Sequence, residues 1–177
     1  MTDAKEYSRA LFELAEESGK TDAVLADINL AKAAFEQNPD YKNLLDTPAL
    51  AKDEKLSLID EAFGGLDIFT VNLIKILCER HSVHLFPKIA DSFAALYDKS
   101  RGIERVEAIT AFPMNEAQLE AMKNKLRAIT GKTIIIKNTI DRAIIGGVIL
   151  RYSGVQLDGS IKSRLDDFKN SLSNIVM

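Results

Sequence analysis

Apolar residues recur at helical spacing along the N-terminal part of the chain. In the first segment they spread over an arc of roughly 200°, whereas a helix that only covers a core needs a stripe of roughly 100°. The segment at 67–80 is apolar almost all round, and only Asn72, Lys75 and Glu79 form a polar strip. Such a helix either lies at the centre of a bundle or keeps one face for a partner, and the pattern alone leaves both readings open.

Breaks in the apolar pattern divide this part of the chain into predicted helices. Thr21 is a potential N-cap, the pair Asn38-Pro39 ends one helix, and Gly64-Gly65 ends another. The six predicted helices cover about residues 3–18, 21–37, 39–46, 48–63, 67–80 and 86–99. Because the connections are short, neighbouring helices are expected to pack antiparallel as a bundle.

The apolar residues change after Glu104 from alanine and leucine to β-branched types. Isoleucine and valine supply 10 of the first 104 residues but 15 of the last 73, and β-branched residues favour strands. Asn115 and Gln118 have the spacing of a capping box that begins a helix. We therefore predict a mainly α fold, in which an N-terminal six-helix bundle (1–104) is followed by a smaller α/β domain (105–177). The elements predicted in that domain are strands at 105–111, 133–137 and 143–152, and helices at 115–130 and 160–173.

Charge divides at the same place. The net charge of −3 combines −7 over residues 1–104, from 12 basic and 19 acidic side chains, with +4 over residues 105–177, from 11 and 7. A total so close to neutral argues against a nucleic-acid partner. No apolar run is long enough to cross a bilayer, so direct membrane insertion is not expected. The single cysteine fits a reducing compartment.

No group of residues has the spacing of a catalytic, cofactor or metal site. Cys78, His81 and His84 are spaced three apart, but a fourth zinc ligand is not evident and the predicted helix ends between them. Gly146-Gly147 lies inside an apolar run and lacks the lysine of a phosphate-binding loop. The hydroxyl of Ser160 has no histidine nearby in sequence to act as a base. The chain is therefore predicted to be non-catalytic and to need no cofactor or metal.

Three parts of the sequence carry a recognisable pattern. They are residues 7–15, residues 72–77 continued by 85–89, and a C-terminal series made of Ile140-Asp141, 144–151, Asp158-Gly159-Ser160 and Leu165. Together they resemble the delta subunit of F-type ATP synthases, the family of the mitochondrial oligomycin-sensitivity-conferring protein. Two turns depart from the family pattern. His81-Ser82 stands where Gly-Arg is common, and Ser153-Gly154 stands where Gly-Asp is common.

The resemblance implies a role as a stator subunit. In the family, the protein sits on the catalytic head, and its helical domain receives the N-terminal helices of the alpha subunits between helices one and five. Its C-terminal domain joins the b-type stalk subunits. The head is thereby kept from turning with the proton-driven rotor, so that rotation is coupled to ATP synthesis. The complex would lie on the cytoplasmic face of a bacterial inner membrane.

The apolar arcs and the family pattern together predict two sets of residues. The alpha-binding groove is predicted to contain or border Tyr7, Ala10, Leu11, Leu14, Asn72, Leu73, Ile76 and Glu79. The C-terminal signature residues, for which backbone geometry and capping are expected rather than partner contact, are Gly146, Gly147, Asp158, Gly159 and Ser160. Two other readings stay open. The chain could be a stand-alone helical adaptor for another amphipathic segment, or a small enzyme or nucleotide-binding regulator built on Gly146-Gly147.

Overall fold

The computed structural model of the chain describes residues 4–48, 50–152 and 154–163. The chain divides into two compact units, unit 1 up to Ser100 and unit 2 from Arg101 onward. It is mainly helical and contains one small four-stranded sheet, which confirms the predicted fold class at that level. The boundary drawn from composition, after Glu104, falls inside the first strand, because the last helix of unit 1 already ends at Ser100.

Unit 1 consists of helices joined by short turns. Its helices are α1 (Ala4–Glu17), α2 (Thr21–Gln37), α3 (Pro39–Asp46), α4 (Lys52–Phe63), α5 (Ile68–Glu79) and α6 (Phe86–Ser100), with one 3₁₀ turn at Val83–Leu85. Two predicted helix starts are corrected. Thr21 is the first residue of α2 rather than its cap, and it is buried. α4 begins at Lys52 rather than near Pro48, because Thr47 and Ala51 have extended backbone.

Aromatic side chains form the centre of unit 1. Phe35 of α2 packs against Phe63 and Phe86, with ring centroids 5.3 and 5.2 Å apart, and Tyr41 stacks on it at 6.1 Å. Offset and edge-on ring pairs of this kind add to the stabilisation that burial provides. α1 packs chiefly against α6 and touches α5 at fewer points. Both α1 and α5 are therefore anchored in one core, while each keeps one side outside it.

A buried lysine closes the C-terminal end of α3. Lys55 of α4 is only 3% exposed, and its ammonium donates to the carbonyl oxygen of Leu45 at 2.9 Å and to that of Thr47. The Cys78 thiol donates to the same Leu45 carbonyl at 3.5 Å. Carbonyl groups at a helix end lack partners within the helix and carry the negative end of its dipole, so a cation there is stabilising. α3, α4 and α5 are thereby joined at one point.

The described part of unit 2 is a four-stranded sheet with one long helix. The strands are β1 (Ile103–Thr110), β2 (Thr133–Ile140), β3 (Val148–Tyr152) and β4 (Val155–Asp158), and the helix is α7 (Glu116–Thr130). The strands lie in the order β2-β1-β3-β4. β1 is parallel to β2 and antiparallel to β3, and β3 is antiparallel to β4. A parallel neighbour needs a crossover connection, which α7 supplies between β1 and β2.

In unit 2, the helix α7 is predicted correctly, whereas the strands of the sheet are predicted only in part. Asn115 and Gln118 form the capping box, and Gly131 ends the helix with a left-handed φ of 68°. β2 runs on to Ile140, β3 begins only at Val148, and β4 lies where no strand is predicted. Residues 161–163 are helical. The rest of the predicted last helix, with Leu165, Phe168 and Leu172, lies outside the described residues.

We predict that Thr70→Val stabilises unit 1. Thr70 of α5 is fully buried, and its hydroxyl has no hydrogen-bond partner among the described residues. A buried hydroxyl without a partner costs about 1–3 kcal/mol, so replacing it by a methyl group should raise the free energy of unfolding in urea by about 1 kcal/mol. Thr70→Ser keeps the hydroxyl and removes the methyl group, and should lower that free energy by about 1 kcal/mol. A destabilised Thr70→Val would show that the hydroxyl is bonded after all.

Candidate partner-binding surfaces

The eight predicted groove residues divide into a buried and an exposed set. Leu11 and Leu73 are part of the core of unit 1, and Tyr7 is half-buried against it. The exposed members, here called the α1–α5 surface, are Ala10, Leu14, Asn72, Ile76 and Glu79. The structure thus assigns Leu11 and Leu73 to packing and leaves the other side chains within reach of a partner.

Helix geometry explains why large apolar side chains stay outside the core. On α1, Ala10 and Leu14 are four residues apart and share one side of the helix. On α5, Asn72 and Ile76 have the same spacing. Leu14 is 50% exposed and Ile76 is 44% exposed, although each lies one turn from a core residue. The α1–α5 surface therefore contains apolar area that the described residues leave half uncovered.

A carboxylate fixes the start of α5. Asp67 is the N-cap, and its Oδ1 accepts the Phe69 N–H at 3.0 Å while its Oδ2 accepts from Lys20 Nζ at 2.8 Å. The backbone N–H of Asp67 donates to Asp27 Oδ2 of α2 at 2.6 Å. The hydrogen bond from Lys20, followed by that from the Phe69 backbone, lowers the pKa of the Asp67 carboxyl. These contacts determine where α5 begins relative to α2.

Ion pairs follow the polar strip of α5. Glu79 pairs with Lys52 of α4 at 2.9 Å, and Lys75 pairs with Asp60 at 2.5 Å, so the strip is joined to α4. Pairs this exposed contribute little to stability. The Asn72 carboxamide forms no hydrogen bond with any other part of the chain that the structure describes. It is the polar group of the α1–α5 surface that a partner could engage without breaking an existing contact.

The turn after α5 contains a left-handed histidine. His81 has a φ of 52°, and no other non-glycine residue among those described has a positive φ. The Ser82 N–H donates to the Leu77 carbonyl at 2.8 Å and the His81 N–H to that of Cys78 at 3.1 Å, the Schellman ending of a helix. Glycine suits this conformation best, so the family's common glycine is missing where the backbone favours it. His81 Nδ1 instead lies 3.0 Å from the Asp46 carbonyl oxygen.

Cys78, His81 and His84 are not brought together as metal ligands. Cys78 is buried, and burial raises the pKa of its thiol. The ring of His84 contacts Asp46 Oδ2 at 3.1 Å, and the Asp46 carboxylate also accepts the N–H groups of Val83 and His84, at 2.7 and 2.9 Å. Across the part of the chain that the structure describes, no three histidine, cysteine or carboxylate side chains are placed to hold a metal ion.

The signature glycines of unit 2 meet where two segments pack together. Gly147 has a φ of 86°, and a Cβ built on it would lie 2.5 Å from the carbonyl oxygen of Gly159. A Cβ on Gly146 would lie 2.8 Å from Cδ1 of Ile161, whose N–H donates to the Gly146 carbonyl at 3.0 Å. Residues 146–147 and residues 159–161 therefore approach each other more closely than side chains at Gly146 and Gly147 would allow.

Asp158 and Ser160 cap the chain that follows β4. Asp158 Oδ1 accepts the Ser160 N–H at 2.8 Å, and Ser160 Oγ accepts the Ser163 N–H at 3.2 Å. Hydrogen bonds from the side chain and then the backbone of Ser160 lower the pKa of the Asp158 carboxyl. Ser160 itself is buried. In the described structure these two side chains contact the chain's own backbone.

Comparison with known proteins identifies the family. The profile described as "ATP synthase delta (OSCP) subunit" matches residues 4–172. The chain belongs to this family. It is 31% identical to ATP synthase subunit delta of Azorhizobium caulinodans, over 97% of this chain and 94% of that relative. It is 32% identical to the subunit of the same name from Carboxydothermus hydrogenoformans, over 96% of both chains.

A solved structure shares the fold. A chain in the cryo-EM structure of the Toxoplasma gondii mitochondrial ATP synthase hexamer matches with a TM-score of 0.73 and 24% sequence identity, covering 97% of this chain and 98% of that chain. At this level of sequence identity, the similarity is evidence of a shared fold alone.

Family membership makes this chain a non-catalytic stator subunit of an F-type ATP synthase, which couples rotation to ATP synthesis. The readings as a stand-alone adaptor and as a small enzyme are therefore set aside. Among the residues described, no helix combines the length and the apolar character needed to cross a membrane.

Gly147→Ala is predicted to destabilise unit 2 strongly. A left-handed φ costs a residue with a side chain about 1–2 kcal/mol, and the new Cβ would also meet the Gly159 carbonyl oxygen at 2.5 Å. We expect a loss of about 3 kcal/mol or more, measured by hydrogen exchange of the β1 and β3 amides. Gly154→Ala is the matched control, because its φ is 78° and nothing lies within 4 Å of the added Cβ. Equal losses in the two variants would contradict the close approach at Gly147.

Acid is predicted to remove the contribution of Asp67. The pKa of its carboxyl is lowered in the folded chain from the ordinary value of 3.8. The charged carboxylate therefore stabilises the fold at any pH above 3.8, and this stabilisation disappears as the pH falls through the lowered pKa. Asp67→Asn keeps a capping side chain and should be less stable than the parent by about 1 kcal/mol at neutral pH. Urea unfolding at successively lower pH should show this difference vanish. A difference that does not change with pH would contradict the charge contribution.

Proposed function

We propose that unit 1, as one bundle of α1 to α6, receives the N-terminal helix of an alpha subunit on the α1–α5 surface, and that unit 2 joins the b-type stalk subunits. The observation that carries the first part is the exposure of Leu14 and Ile76 on helices whose other sides are buried in the core. Apolar side chains at helical spacing on two touching helices suit an amphipathic helix laid against them.

Polar groups on the same surface would orient the bound helix. The Asn72 carboxamide lies one turn from Ile76, and the Glu79–Lys52 pair lies one turn beyond it. In interfaces of this kind the apolar centre supplies most of the affinity, and the polar rim sets the register. Leu14 and Ile76 are therefore the expected anchors, with Asn72 as the orienting contact.

The packing of unit 1 supports a stiff attachment. A stator has to withstand the torque of the rotor, so the surface that holds the head must not shift under load. Side chains positioned by packed helices move less than side chains on loops. The start of α5 is held by Asp67. Its end is held by the turn at His81 and by the thiol of Cys78, which shares the Leu45 carbonyl with Lys55.

The complex, on this proposal, lies on the cytoplasmic face of a bacterial inner membrane, and the alpha and b-type subunits hold the chain there. The two relatives compared above are bacterial subunits of the same name. Bacterial synthases work at that membrane, which is why we extend the location to this chain.

Charge substitutions on the α1–α5 surface test the alpha-binding proposal. Calorimetry of the full chain with a synthetic peptide of the organism's alpha-subunit N-terminus should show binding. Ala10→Glu and Ile76→Glu should each weaken it at least tenfold, or about 1.4 kcal/mol, because a buried unpaired carboxylate replaces an apolar contact.

Leu30→Glu is the matched control for this experiment. Leu30 lies on α2 and is 61% exposed, so the variant adds the same charge at an apolar position that is more exposed than Ile76 and is not part of the α1–α5 surface. Its affinity for the peptide should equal that of the parent. Unchanged affinity of Ala10→Glu and Ile76→Glu in folded protein would refute the placement, as would equal weakening by Leu30→Glu.

A further inference from the structure

One face of the sheet in unit 2 carries a row of charged and polar side chains. Alternate residues of a strand point to opposite faces, and residues paired across strands point to the same one. Glu107 of β1 is paired with Lys137 of β2 and with Arg151 of β3, which is paired in turn with Gln156 of β4. Arg105 and Ile135 are the neighbouring pair on this face. The open sheet face is defined here as Arg105, Glu107, Ile135, Lys137, Arg151 and Gln156.

These six residues line a cavity of about 520 Å³. α7 lies against the opposite face, because Gln118 and Met122 share another cavity with Thr110 and Val148. Thr110 and Val148 are paired with each other and alternate with Glu107 and its partners. The open sheet face is therefore not covered by α7.

The open sheet face carries three cations and one carboxylate; Arg105 has an interaction partner already, so the excess of positive charge rests on Lys137 and Arg151 beside Glu107. Glu107 accepts from Thr139 Oγ1 at 2.8 Å and lies 3.8 Å from Arg151, whose Nε donates to Gln156 at 2.9 Å. Lys137 is exposed and forms no ion pair with any residue in the described ranges. The polar groups in the middle of the face thus hold one another in place, while the ammonium of Lys137 pairs with no carboxylate among the described residues.

We propose that the open sheet face binds a carboxylate-rich segment of a partner polypeptide. The excess of positive charge attracts carboxylates and orients the partner as it approaches. Ile135 is 40% exposed on the same face, which suits a segment that presents apolar side chains beside its carboxylates. The exposed apolar side chain of Ile135 is the observation that favours a polypeptide over a nucleic acid or a lipid surface. The inference rests on the proposed attachment of unit 2 to the stalk, in which case the segment belongs to a b-type subunit.

Charge variants in the full chain test this surface by titration with a soluble fragment of the organism's b-type subunit. Lys137→Glu should weaken binding roughly tenfold. Glu107→Gln keeps an acceptor for Thr139 and removes the one carboxylate of the face, so it should tighten binding by about threefold. Both effects should shrink in about 0.5 M salt, which screens exposed charges. Because a gain of affinity cannot result from misfolding, Glu107→Gln keeps the test valid if Lys137→Glu folds poorly.

Lys125→Glu is the matched control, since Lys125 is exposed on α7 and the variant changes the net charge by the same amount as Lys137→Glu. Its affinity should match that of the parent. If the parent binds the fragment but Lys137→Glu and Glu107→Gln do not change its affinity, the open sheet face is not the docking site and the attachment to the stalk stands. If the parent does not bind, both the attachment and this inference fail. Displacement of the fragment by an oligonucleotide or anionic vesicles but not by polyglutamate would also overturn the inference.

Discussion

Burial of α5 is the constraint on which unit 1 depends. The helix is apolar almost all round, so the other helices must cover most of it, and half of its residues are buried. Asp67 determines where it begins, and the left-handed turn at His81 determines where it ends. The part that remains uncovered, around Ile76, becomes the apolar portion of the α1–α5 surface. One excess of apolar side chains thus accounts for both the core and the proposed binding surface.

The two units present surfaces of different chemistry. Unit 1 offers apolar side chains on rigid helices, where affinity comes from burial and is little affected by salt. Unit 2 offers a charged sheet face, where attraction depends on ionic strength. The net charge along the sequence, −7 over residues 1–104 and +4 over residues 105–177, divides in the same way. A stator subunit that connects two different parts of a complex gains specificity when each partner meets a surface of its own kind.

Local signals in the sequence predict many element ends and few long-range contacts. Pro39 and the capping box at Asn115 mark true helix starts, because capping and the restricted φ of proline act within one turn. The burial of Lys55 has no local signal, since a lysine in α4 is expected to be exposed until the end of α3 comes to lie beside it. β4 is missed for a similar reason, because a strand of four residues is stable only when paired with β3.

For the candidate surfaces, the sequence by itself determined which helices carry excess apolar side chains, where glycines occur, and which family the pattern resembles, because each depends on residue types within a few turns. Only the tertiary structure decided that Leu11 and Leu73 are buried while Leu14 and Ile76 stay exposed, and that Gly147 lies against Gly159. It also decided that Lys137, Glu107 and Arg151 form one row. These outcomes depend on contacts between residues far apart in the chain, and such contacts form only when helices pack and strands pair.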